Sequence, residues 1–150
     1  MIVFDWNVRV YYEDTDAGGI VYYANYLKFF ERARTEWLRA AKIGQQTLAQ
    51  DRGIMFVVRS AKIDYIAPAK LDDELRITVA VSKLGRASIT FEQKAWRGEQ
   101  MLASADVLVA CVTCDSVRPC PIPFEVKSTI DAIANNDNVP ETTCASNAPA

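Results

Sequence analysis

Tyr11-Tyr12-Glu13-Asp14-Thr15-Asp16-Ala17-Gly18-Gly19-Ile20-Val21-Tyr22-Tyr23-Ala24-Asn25 runs directly into Tyr26-Leu27-Lys28-Phe29-Phe30-Glu31-Arg32-Ala33-Arg34-Thr35-Glu36-Trp37-Leu38. The first half reads as a strand end and a tight acidic turn, and the second as one long helix. Asp14 and Asp16 precede two glycines, and the helix opens a few residues later. Negative side chains therefore lie beside a helix N-terminus, whose unpaired backbone N–H groups carry partial positive charge. A carboxylate next to fixed N–H donors suits carbonyl chemistry: one group attacks or activates water, and the other stabilises an oxyanion. This stretch is the candidate active site.

Upstream, residues 3–12 alternate, with Phe4, Trp6, Val8, Val10 and Tyr12 on one face, as in a half-buried strand. The helix is expected from about residue 24 or 25 to about 42, with Asn25 as N-cap and Gly44 as its stop. Its polar stripe is narrow (Lys28, Arg32, Thr35, Arg39), which predicts a core helix enclosed by other elements. Tyr26, Phe30 and Trp37 at helical spacing read as core. Residues 45–52 suit a short second helix. Beyond Gly53 the pattern turns strand-like to about residue 114: Met55–Ala67, Glu74–Lys83, Arg86–Trp96 and Met101–Thr113, separated by short turns. Neighbouring strands with short connections predict an antiparallel meander. Phe124–Ile133 suits a terminal helix. The expected organisation is one domain over residues 1–133 and a disordered, Asn/Asp/Pro/Thr/Ala-rich tail over 134–150.

Composition narrows the chemistry. The 150 residues carry a net charge of −2, half are apolar, and there is no histidine. Without histidine, Ser-His-Asp triads, Cys-His dyads and His-ligated zinc are excluded, leaving Asp, Glu, Lys, Tyr or Cys for acid–base work. The acidic balance argues against general nucleic-acid binding. No apolar run reaches membrane-spanning length and the start lacks a signal-peptide pattern, so the expected location is cytoplasmic. Cys111 and Cys114 have the spacing of a redox or zinc pair, but Cys111 falls inside a strand-like run, whereas such pairs usually open a helix. The four cysteines (111, 114, 120 and 144) are therefore read as structural or incidental thiols. Asp14-x-Asp16-x-Gly18 brushes against a calcium-loop pattern, but Asn25 stands where the bidentate carboxylate belongs. No metal or cofactor is expected.

Tyr12 to Tyr22, Asn25-Tyr26-Leu27 and Glu31-Arg32-Ala33-Arg34-Thr35-Glu36 together resemble the hotdog-fold acyl-CoA thioesterases. Within these the chain is most similar to the Tol–Pal-associated (YbgC-type) group, relatives of 4-hydroxybenzoyl-CoA thioesterase. Phe56-Val57-Val58-Arg59, Tyr65-Ile66-Ala67-Pro68-Ala69, Leu71-Asp72-Asp73, Arg118-Pro119 and Pro121-Ile122-Pro123 extend the likeness over about residues 3–130. The resemblance implies an α+β hotdog fold, an antiparallel five-stranded sheet wrapped around one long central helix. It also implies homodimers or homotetramers with active sites at the dimer interface, acting on acyl-CoA or acyl-carrier-protein thioesters. Asp16 takes the position of the catalytic aspartate, as nucleophile or as general base. The backbone N–H near Tyr23 takes the position that polarises the carbonyl, and the family often has histidine where this chain has Tyr23. Glu31 is the alternative base. The coenzyme A contacts are expected from Val57, Arg59, Ser60 and Lys62 and from the Arg86–Ser88 corner. The rival reading is a non-catalytic acyl-CoA-binding or scaffold hotdog protein. A hotdog hydratase would need a histidine.

Overall fold

The computed structural model describes residues 2–135. In chain order its elements are β1 (Phe4–Arg9), a 3-10 turn (Tyr12–Asp14), α1 (Asn25–Ala40), α2 (Gln45–Arg52), β2 (Ile54–Tyr65), β3 (Glu74–Leu84), β4 (Ser88–Arg97), β5 (Gln100–Thr113) and α3 (Phe124–Asn135). The five strands form one antiparallel sheet in the order β1-β3-β4-β5-β2. β3, β4 and β5 are the expected meander, while β1 and β2 are drawn from further away in sequence to the two edges. This is the hotdog arrangement of sheet and helix.

Period-2 alternation decides which face of the sheet is covered. Leu75, Ile77 and Val79 of β3, Ile89, Phe91 and Ala95 of β4, and Ala103, Ala105, Val107 and Val109 of β5 are all buried. Against them α1 sets Phe29, Phe30, Ala33 and Trp37, with the Trp37 ring edge-on to Phe91 at 5.4 Å between centroids. Phe30 is wholly buried and Trp37 nearly so, which agrees with reading them as core, whereas Tyr26, also buried, forms part of the wall of a cleft.

Four expectations need correction. Tyr12 does not continue the alternation of β1: the strand ends at Arg9, and Tyr12 enters the 3-10 turn with 82% of its surface exposed. Asn25 is not an N-cap but the first helical residue, after Ala24. Its Nδ2 reaches back 2.8 Å to the Asp14 carbonyl oxygen, so the amide ties the helix to the turn rather than capping its N–H groups. α1 ends at Ala40 and is not enclosed: Leu27, Lys28, Glu31, Arg32, Arg39 and Ala40 are exposed. Only one stripe of the helix meets the sheet, and its other side faces outward. Finally, β4 starts at Ser88, which leaves Arg86 in the preceding turn.

The terminal helix runs through Ala134 to Asn135, two residues into the segment read as tail; residues 136–150 lie outside the described residues. Among the described residues no helix is long and apolar enough to cross a membrane.

Candidate active site

Asp14 and Asp16 have different roles. Asp14 is buried, and its Oδ2 accepts the Tyr11 N–H at 2.8 Å, closing the 3-10 turn on itself. Its backbone carbonyl takes both the Asn25 amide and the Tyr22 N–H at 2.9 Å. Asp14 is a brace. Asp16 sits on a small hairpin in which Thr15 bridges Val21 and the Asp16 N–H donates to the Ile20 carbonyl at 2.9 Å.

Two glycines make that hairpin possible. Gly19 has φ +80°, the left-handed region that side chains with a Cβ avoid, and its N–H closes the turn on the Asp16 carbonyl at 3.0 Å. Gly18 donates its N–H to Asp16 Oδ1 at 2.8 Å, and a Cβ there would stand 3.1 Å from that same oxygen. The carboxylate is thus held by one oxygen, while Oδ2 meets no donor among the described residues and is exposed.

Tyr23 lies two residues before α1. Its N–H meets no acceptor among the described residues, whereas the Asn25 N–H is already satisfied by the Tyr22 carbonyl at 2.8 Å. A free donor is therefore left at the positive end of the helix. The next peptide along is anchored, because Tyr65 Oη donates to the Tyr23 carbonyl at 2.9 Å, on the far side of the Tyr23 Cα from its N–H. The Tyr65 ring is edge-on to both Tyr23 (6.1 Å) and Tyr26 (5.5 Å).

These rings, with Ile20, Ile66 and Pro68, line an open, largely apolar cleft of about 330 Å³ beside the hairpin. Burial raises the Tyr65 and Tyr26 hydroxyls above the usual phenol range; at Tyr26 the Ala69 N–H, at 3.3 Å, works against that rise. Both stay neutral hydrogen-bonding groups at ordinary pH. Tyr65 is the residue that sequence reasoning missed. It lies 42 positions from Tyr23, at the far end of β2, and no local spacing links the two. Tyr65→Phe should keep the fold and cut turnover several-fold, roughly 3–10, by loosening the residue whose N–H is the donor. Steady-state rates beside an unchanged melting curve would check this.

The remaining candidates fall elsewhere. Glu31 is exposed on α1, and its Oε1 accepts the Thr35 hydroxyl at 2.8 Å. It lines a second, smaller cleft of about 110 Å³, together with Arg34, Thr35, Phe56, Val58 and Phe91. Arg34 is buried at 9% exposure, with its guanidinium donating to Gln93 Oε1 at 2.8 Å, and that burial lowers its pKa.

On β2 the register shifts between Val58 and Ser60, which puts Arg59 in a bulge. Val57, Ser60 and Lys62 then share the outer face of the sheet. Val57 pairs with Ala110, and Ala110 pairs with Ser88, so those three stand in line across β2, β5 and β4. Arg86 is exposed in the turn beside this row, its carbonyl accepting the Ile122 N–H at 2.9 Å. The structure therefore places Asp16 and Tyr23 on one hairpin-to-helix turn, groups Val57, Ser60, Lys62 and Ser88 separately, and places Glu31 with neither.

Comparison with known proteins adds the family. Residues 18–104 match the model of the thioesterase superfamily. The acyl-CoA thioesterase YbgC of Haemophilus influenzae is 52% identical over 125 residues, 83% of this chain and 92% of that protein. The acyl-CoA thioester hydrolase YbgC of Escherichia coli O6:H1 is 47% identical over the same shares. Among solved structures, a probable thioesterase from Bartonella henselae superposes with a TM-score of 0.77 at 38% identity, covering 81% of this chain and all of that one. A sheet of this order, a carboxylate on a glycine-built hairpin and a free N–H at a helix start thus meet in a chain that belongs to the thioesterase superfamily.

Proposed function

We propose that the chain hydrolyses acyl-CoA thioesters, with Asp16 delivering the nucleophile and the Tyr23 N–H holding the carbonyl oxygen. One observation carries this reading. A carboxylate fixed by one oxygen and free at the other stands on the same hairpin-to-helix turn as an unpaired helix-start donor, beside an apolar cleft. A thioester whose acyl group enters the cleft presents its carbonyl to the donor. As water adds, or as Asp16 itself adds, negative charge grows on that oxygen and the interaction with the N–H and the helix dipole strengthens. The tetrahedral species then expels the coenzyme A thiolate. By the base route the free acid forms directly, and by the nucleophilic route a mixed anhydride is hydrolysed in a second step. Thiolate leaves without prior protonation, so one carboxylate suffices. Because the contact at Tyr23 is made by the backbone, tyrosine serves there as well as histidine. An acyl-carrier-protein thioester presents the same reacting atoms. The cytoplasm is the proposed setting.

The second part of the proposal is that the working unit is a homodimer or a tetramer built from such dimers. β2 pairs with β5 on one side and with no strand among the described residues on the other, over 12 residues. A long bare edge invites pairing with another strand, and a two-fold axis between copies satisfies it. With the axis near the middle of β2, the partner's Val57 would lie about 10 Å from the Tyr65 end, against about 26 Å for the chain's own Val57. The outer-face row proposed to hold coenzyme A would then serve the neighbouring Asp16.

Val58, half exposed on this edge, offers the test. Light scattering should give a dimer or tetramer for the native chain and a folded monomer for Val58→Lys, with thioester turnover in the monomer reduced more than about tenfold. A fully active monomer would refute the shared site.

A further inference from the structure

Cys111 lies near the end of β5 and Cys114 one residue beyond it, in the turn after Thr113. The structure gives Cys111 a different neighbour. Beyond Ser88, where β4 begins, the segment 118–122 takes the place of β4 alongside the end of β5. Val112 bridges Pro119, the Thr113 N–H donates to the Arg118 carbonyl at 2.9 Å, and the Cys120 N–H donates to the Cys111 carbonyl at 2.9 Å. Cys111 and Cys120, nine residues apart in sequence, become cross-strand neighbours with 3.6 Å between their Sγ atoms. Neighbours in this position have Cβ atoms about 4.5–5.5 Å apart, against about 3.5–4.5 Å in a disulfide. Bonding therefore requires only a small closure.

We propose that Cys111 and Cys120 are a reversible dithiol–disulfide site that exchanges with low-molecular-weight disulfides and braces the Arg86–Ser88 corner. The pair is asymmetric in a way that assigns the steps. Cys120 is only partly buried and can be reached. Cys111 is wholly buried, and that burial pushes its thiol up to about 12. The Cys120 thiolate attacks one sulfur of R–S–S–R, forming a mixed disulfide and releasing R–S⁻. The Cys111 sulfur, giving up its proton, then attacks the Cys120 sulfur and releases the second R–S⁻. Two protein thiols lose two electrons and two protons, and the small disulfide is reduced to two thiols.

The segment carrying Cys120 also holds the corner at the end of the outer-face row. The Ile122 N–H donates to the Arg86 carbonyl at 2.9 Å, and the Cys111 N–H donates to the Ala87 carbonyl at 2.8 Å. Drawing the two sulfurs together moves both anchors of that corner. The effect on coenzyme A rests on the proposed thioesterase reading, but formation of the bond does not.

The experiment equilibrates the full chain with oxidised and reduced glutathione, quenches in acid, alkylates, and maps the peptides by mass spectrometry. A Cys111–Cys120 link that forms in wild type and in Cys114→Ser, is reversed by dithiothreitol, and is absent in Cys120→Ser is expected. Calorimetry with desulfo-coenzyme A, which has no thiol to exchange and needs no turnover, should then show Kd changed by at least about threefold on oxidation in wild type and unchanged in Cys120→Ser. A link at Cys114 or Cys144 instead, a mixed disulfide on Cys120 that Cys111 never displaces, or no loss of thiols would overturn the site. A mapped link that leaves Kd unchanged would overturn the brace. Failure of both redox forms to bind the probe would count against the coenzyme A reading, and with it the brace.

Discussion

Asp16→Asn should lower kcat for acyl-CoA hydrolysis by about 10³-fold, the middle of the range for loss of a positioned acid–base group. At room temperature that is about 4 kcal/mol of transition-state stabilisation. The substitution is a clean one because the structural duty of Asp16 is small. The amide oxygen of asparagine can still accept the Gly18 N–H, now at 2.8 Å, so the hairpin and the Tyr23 donor should stay in place. The lost function is the free oxygen, since an amide neither deprotonates water nor attacks a thioester. KM should therefore move little while kcat collapses, the signature of a group needed only in the transition state.

Thiol release from a panel of short-chain, long-chain and aromatic acyl-CoAs measures this, with a blank lacking substrate because the protein has four cysteines of its own. Glu31→Gln is the contrast. Its carboxylate is bonded to Thr35 in a different cleft, so turnover should stay within about threefold of wild type. The reverse pattern would move the base to Glu31. No turnover across the panel with coenzyme A still bound would favour the binding-protein reading.

The largest stability effect is expected at Gln93, which is wholly buried and makes two hydrogen bonds. Its Oε1 accepts from Arg34, and its Nε2 donates to the Phe30 carbonyl at 3.0 Å. Gln93→Leu removes the acceptor that the Arg34 guanidinium uses inside the protein. A buried cation left without its partner costs far more than the average hydrogen bond, so a loss of about 2–4 kcal/mol is expected. For a domain of this size that lowers the melting temperature by roughly 5–15 °C. Arg34→Met alone orphans the glutamine oxygen and should also destabilise, by about 1–3 kcal/mol.

The double variant Arg34→Met/Gln93→Leu should recover most of the loss, because neither partner is then stranded; the Phe30 carbonyl keeps its ordinary bond within the helix. Denaturant titrations of the four proteins close the cycle. Additive losses would show that the two side chains do not act as a unit.

Why the hairpin-to-helix turn is legible in the sequence, and the contacts of Tyr65 and Gln93 are not, comes down to how each contact is made. Asp16 and Tyr23 are seven residues apart, so local rules for turns and helix ends put them on one hairpin and helix start, while the choice of these two residues comes from the family resemblance. The three meander strands are legible for the same reason, since short turns leave consecutive strands little choice but to pair. Tyr65 reaches Tyr23 only because β2 crosses to the far edge beside β5, and Gln93 reaches Arg34 only because an inward position of β4 falls under that turn of α1. Cys120 meets Cys111 only because β4 starts late enough to leave room for the segment 118–122. The girth of α1 misled for a related reason. Leu27 and Ala40 are apolar but exposed, and hydropathy alone does not tell a covered position from one that faces outward.

The place of β1 at the sheet edge also matters on the ribosome. Phe4 pairs with Val79 and Arg9 with Glu74, so β1 has no strand partner until some 70 further residues have been made. At about 5–20 residues per second, that wait lasts roughly 4–14 s. Throughout it Phe4, Trp6, Val8 and Val10 hang as an apolar, strand-forming segment from a growing chain. α1 follows within that interval and is the first surface they can rest on. β1 is thus a segment that needs shelter while the chain is being synthesised.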